Sequence, residues 1–76
     1  MKSIQVRLST IADVQEFVSI VAKSEADIDL VSGRYVVDAK SIMGIFSLNL
    51  MAPIQLNAHG DDTDELFAAL DRFIVK

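Results

Sequence analysis

Apolar and polar residues alternate with a period of two over Ile4-Gln5-Val6-Arg7-Leu8, the pattern of a strand with one buried face. From Ile11 the period lengthens. Ile11, Val14, Phe17, Val18 and Val21 recur at spacings of three and four and predict a helix to about Lys23, with Gln15, Glu16, Ser19 and Lys23 toward water. Thr10 stands where an N-cap belongs, and Asp13, three residues on, resembles the partner of a capping box. Two short β-prone runs follow, Ala26 to Val31 and Tyr35 to Val37, around Ser32-Gly33-Arg34, where glycine can supply the positive φ of a hairpin turn.

Ser41 next offers a cap to a short helix reaching about Leu48, in which Gly44 costs roughly 1 kcal/mol of helix propensity, so tertiary contacts must hold it. Pro53 precedes a last strand, Ile54 to Ala58, which Gly60 ends. Asp61-Asp62-Thr63-Asp64-Glu65 then opens a final helix, its carboxylates suited to the positive N-terminal pole. Leu66, Phe67, Ala69, Leu70, Phe73 and Ile74 supply its apolar face. The order βαββαβα predicts an α+β fold, an open-faced sandwich whose four-stranded antiparallel sheet carries three helices on one face and leaves the other partly open.

Composition narrows the partners. A chain of 76 residues, 51% of them hydrophobic, is expected to form a single domain over residues 1–76, with a core of Ile, Val, Leu and Ala. The net charge of −4, with seven scattered Lys and Arg residues, argues against nucleic acid and anionic membranes. Without cysteine, disulfides and thiolate metal sites are excluded. No signal peptide or long apolar span is evident, so a cytoplasmic location is expected.

Candidate chemistry concentrates in Asp38 to Leu48. Ile42, Met43, Ile45, Phe46 and Leu48 cannot all face one side of a two-turn helix, so some must be open to solvent or a partner beside Ser41. The only histidine, His59, is followed by Gly60, Asp61 and Asp62; these acids favour an imidazolium and repel phosphate. A metal site from His59 with Asp61, Asp62 and Asp64 has no second histidine or defined spacing behind it, so no metal or cofactor is expected. The simplest role for Thr10 is a plain N-cap.

The element order and the run Lys40-Ser41-Ile42-Met43-Gly44 resemble HPr, the small phosphocarrier family of the bacterial sugar phosphotransferase system. The resemblance extends from about Val21 onward. It takes in Ser24 to Leu30, Ala58-His59-Gly60 with Asp62, and Ala69-Leu70. It implies that Ser41 is the family's regulatory phosphorylation site. It also implies that Ile42, Met43 and Phe46 form the apolar patch that docks phosphotransferase-system enzymes, an HPr-type serine kinase or transcriptional regulators.

The other half of the family pattern is different. Where the resemblance places a histidine followed by Arg and Pro, this chain reads Ser9-Thr10-Ile11-Ala12-Asp13. Thr10 takes the histidine position, Ala12 that of the arginine and Asp13 that of the proline, and the loop before them is shortened. The expectation is a non-enzymatic, HPr-like regulatory or interaction module that cannot carry phosphate on histidine. Two alternatives stay open: a carrier whose phosphoacceptor has moved to His59 or Thr10, or a structural domain that dimerises through its open sheet face or the Ile42-Met43-Phe46 patch.

Overall fold

The computed structural model describes residues 2–60 and 63–75. The elements run β1 (Lys2–Val6), α1 (Ile11–Ala22), β2 (Asp27–Ser32), β3 (Tyr35–Asp38), α2 (Ile42–Phe46), β4 (Ile54–His59) and α3 (Asp64–Ala69), followed by a 3-10 turn at Asp71–Phe73. The strands form one antiparallel sheet in the order β1-β4-β2-β3. This is the α+β open sheet with three helices that the periodicities predict.

Alternation in the strands decides which face is covered. Val6, Ile28, Leu30, Ile54, Leu56 and Ala58 point inward and are almost fully buried. Above them lie Val14, Phe17 and Val21 of α1, Ile45 of α2, and Leu66, Leu70 and Phe73 from the C-terminal region. The rings of Phe17 and Phe73 meet edge to face at 6.1 Å and 86°, a geometry aromatic pairs prefer. The hairpin turn is the two-residue pair Gly33-Arg34, with Gly33 at φ +60° and Arg34 at negative φ, the pattern of a type II′ turn.

Three expectations are corrected. The first strand lies at Lys2–Val6 rather than Ile4 to Leu8 because its pairing with β4 ends where Val6 meets Ile54. On its other edge, the end of β1 is flanked by the C-terminal segment. Arg7 donates its N–H to the Phe73 carbonyl at 2.8 Å, Val75 donates to Gln5 at 2.8 Å, and Val6 bridges Ile74. Inward alternation still holds, since Val6 and Leu8 are both buried.

The final helix is interrupted where the chain turns to make this edge pairing. It stops at Ala69, Leu70 takes φ −93° and ψ 4°, and a single 3-10 turn swings Phe73 onto Phe17 and delivers Ile74 to the β1 edge. Ile11, assigned by spacing to the buried face of α1, is 67% exposed. It sits in the first turn, on the margin of a stripe centred on Phe17 and Val21. The part of the last-helix start that falls on Asp61 and Asp62 lies outside the described residues. Among those residues no helix is long and apolar enough to cross a membrane.

Candidate functional site

Two helix starts carry the candidate chemistry, and each begins with a hydroxyl. At α2, the chain leaves β3 in a tight turn in which Ser41 donates its N–H to the Asp38 carbonyl at 3.0 Å and Lys40 donates its N–H to Asp38 Oδ1 at 2.9 Å. Lys40 Nζ reaches across to the Ser24 carbonyl at 2.9 Å and ties this turn to the end of α1. Ser41 is exposed, and its Oγ accepts from the Gly44 N–H at 3.2 Å as the N-cap. No acidic side chain occupies the first turn of α2.

The five apolar residues after Ser41 divide as counting required. Ile45 and Leu48 enter the core and Ile42 packs half-buried against it. Met43 is 78% exposed and Phe46 40%. Gly44 permits this arrangement: a Cβ there would lie 3.2 Å from Ser41 Oγ and 3.3 Å from Val37 Cβ, so a side chain would crowd both the cap and β3.

At α1 the start is closed. Thr10 Oγ1 accepts from the Asp13 N–H at 3.0 Å, and Asp13 Oδ2 accepts from the N–H groups of Thr10 at 3.2 Å and Ser9 at 3.1 Å. Asp therefore completes the capping box in place of the usual Glu or Gln. The other Asp13 oxygen meets Arg72 Nη2 at 3.3 Å. That guanidinium also reaches Glu16 at 2.9 Å and lies 4.4 Å over the Phe73 ring. The amides and the nearest arginine at this helix end are thus engaged by carboxylates of the chain itself.

His59 is remote from Thr10. The β1–β4 register sets Val6 against Ile54 and Lys2 against Ala58, so Thr10 follows one end of the sheet and His59 closes the other. His59 Nε2 lies 3.4 Å from Asp29 Oδ2 on the uncovered sheet face, and both side chains are partly exposed. Asp64 turns to Lys2 at 2.8 Å. The Lys2 ammonium, by hydrogen bond and by charge, holds the Asp64 carboxyl below its ordinary value. The His59-based metal grouping does not assemble among the described residues, where no cluster of three or more His, Cys, Asp or Glu exists. Its members Asp61 and Asp62 lie outside them.

Among the exposed apolar side chains that sequence reasoning missed are Ile11 at 67% and Met51 at 85%. Met51 lies in the irregular stretch before Pro53, where no periodicity exists to assign a face. Its carbonyl accepts from Arg7 Nη2 at 3.3 Å, which brings the segment after α2 to the end of the sheet that holds Thr10.

Comparison with known proteins bears on what this arrangement is. Residues 13–76 match the PTS-HPr family, described as the PTS HPr component phosphorylation site; the match begins after Thr10. Among solved structures, HPr-C-His from Thermoanaerobacter tengcongensis is 30% identical with a TM-score of 0.81, covering 95% of this chain and 89% of that one. The phosphocarrier protein HPr from Bacillus anthracis str. Ames is 31% identical with a TM-score of 0.74, covering 97% and 94%. The histidine-containing phosphocarrier protein of a mycoplasma shares the fold at 18% identity and a TM-score of 0.72, over 93% and 86% of the two chains. No curated protein sequence matches the chain. With this family match spanning most of its length, the chain belongs to the HPr family of the phosphotransferase system, whose members are phosphocarrier proteins that work with the system's enzymes and are not themselves enzymes.

Proposed function

We propose that this HPr-family chain is a regulatory or protein-interaction module acting through Ser41 and the adjoining Ile42, Met43 and Phe46, and that it does not carry phosphate on histidine. One observation carries the reading: an exposed serine hydroxyl caps α2 directly beside two exposed apolar side chains, Met43 and Phe46. A phosphate on Ser41 would add about −1.5 to −2 charge where helix amides and dipole favour an anion, leaving the fold intact and changing what can dock on the apolar pair.

The α1 start supports the other half of the proposal. Thr10 stands at the position the resemblance gives to histidine, and the neighbouring amides already bind the Asp13 carboxylate. A second anion there would meet that charge at close range. His59 is a poor substitute, since the Asp29 carboxylate lies 3.4 Å from its Nε2. Partners of the proposed module are phosphotransferase-system enzymes, an HPr-type serine kinase or a transcriptional regulator, met in the cytoplasm by a single domain.

Intact-mass measurement after separate incubations tests the proposal. Enzyme I with phosphoenolpyruvate is expected to leave the mass unchanged. An HPr-type serine kinase with ATP is expected to add one acid-stable phosphoryl group that Ser41→Ala abolishes. An acid-labile phosphoryl group gained from enzyme I and lost in His59→Ala, or an acid-stable one gained from enzyme I and lost in Thr10→Ala, would replace this reading with a relocated carrier.

A further inference from the structure

A second concave site lies apart from both helix starts and from the apolar pair. A cleft of about 650 Å³ opens between the end of α1, the entry to β2, the end of β4 and α3, within the size range of small-molecule sites. Its walls include apolar groups, with Ile20 of α1, Ala26 just before β2 and Leu66 of α3 contributing. Gly60 stays without a side chain here at φ +146°, where a Cβ would lie 3.3 Å from that of Ala26.

Charge at this cleft is one-sided. Among the described residues, Glu25, Asp27 and Glu65 line it against one cation, Lys23, and His59, which also lines it, has the Asp29 carboxylate 3.4 Å away. Among the described residues, none of those three carboxylates has a hydrogen-bond or ion-pair partner, although most of the other acidic and basic side chains do. The negative C-terminal pole of α1 ends at the same place, and its last turn contains no basic residue. Unpaired carboxylates over apolar walls complement one chemistry: a cationic head on an apolar stem, which buries the stem and leaves the ammonium among the acids.

We propose that this cleft binds a small organic cation of the alkylammonium type, a free amine or the equivalent end of a lysine side chain. The site is independent of Ser41 and of the proposed module, so either can fail without the other.

Titration of the isotope-labelled protein with n-hexylammonium, followed by backbone amide NMR, tests it. Saturable shifts are expected at Ala26, Gly60 and Leu66 and not at Ser41 or Met43, with a Kd on the order of 1 mM. The double variant Glu25→Gln/Glu65→Gln, which alters two exposed side chains and keeps the fold, is expected to bind about ten-fold more weakly. Lys23→Gln is expected to bind about two-fold more tightly. An acetyl-Leu-Lys-Leu amide that binds as well as hexylammonium assigns the lysine source, and weaker peptide binding assigns the free amine. Equal binding of n-hexanol, binding of hexanoate, or absence of saturable shifts overturns the proposal.

Discussion

The two helix starts use the same device and leave it in opposite states. Thr10 and Ser41 each place a hydroxyl on the N–H three residues ahead, at 3.0 and 3.2 Å. At α1 a carboxylate then returns to the two preceding amides and is itself held by Arg72, so the positive end of the helix is neutralised from within. At α2 the third residue after the cap is glycine, which has no group to return, and the hydroxyl stays open beside Met43 and Phe46. What separates a closed helix end from an open one is therefore the residue at N3 more than the cap.

The strongest way to break this contrast is to remove the internal anion. Asp13→Ala leaves the Ser9 and Thr10 amides and Arg72 without their common partner. The hydrogen bonds are charge-assisted but the side chain is partly solvated, so a loss of about 2 kcal/mol is expected in urea unfolding. Thr10→Ala removes only the hydroxyl half of the box and is expected to cost about 1 kcal/mol. If Asp13→Ala costs no more than Thr10→Ala, the carboxylate does not close the α1 start in the way the distances imply.

The corresponding change at α2 is expected to be smaller. Ser41→Ala removes one cap bond from a short exposed helix and should cost about 0.5 kcal/mol. Ser41→Asp, which keeps an acceptor and adds charge at the same pole, should be within experimental error of the parent protein. A loss above about 1.5 kcal/mol for Ser41→Asp would mean that this helix end does not tolerate an anion, and the proposed regulation would lose its physical basis.

Much of this contrast was legible in the sequence because it depends on local spacing. Thr10 with Asp13, and Ser41 before an apolar surplus, are relations within three or four residues, and the structure keeps both. What spacing could not foresee came from contacts distant in the chain. Arg72 reaches Asp13 across 59 positions, and the tail pairs with the outer edge of β1, which interrupts the last helix. The cleft lined by Lys23, Glu25, Asp27 and Glu65 was equally hidden, since its walls come from four elements that no periodicity joins.

Gly44 sharpens the comparison from the packing side. Replacing a mid-helix glycine by alanine normally gains about 1 kcal/mol. Here the new Cβ would stand 3.2 Å from Ser41 Oγ and 3.3 Å from Val37 Cβ, both closer than ordinary contact. Gly44→Ala is expected to forfeit the propensity gain and to destabilise by about 0.5 kcal/mol. A stabilised Gly44→Ala protein would show that α2 can move off β3 at little cost.

The third helix start is the control, and its effect is the smallest. Thr63 makes no side-chain cap at α3, and the first acid, Asp64, is held below its ordinary pKa by Lys2 rather than by helix amides. A carboxyl lowered by folding contributes stability that is present above its unfolded pKa of about 3.9 and lost as pH falls through the lower folded value. Because the pair is exposed, salt must weaken it. In an NMR titration of the Asp64 carboxyl, Lys2→Gln is expected to return the pKa toward the ordinary value, and added salt should do the same in the parent protein. A pKa unchanged by Lys2→Gln would instead place its cause at the α3 amides, and α3 would then join α1 as a start stabilised by its own first-turn carboxylate.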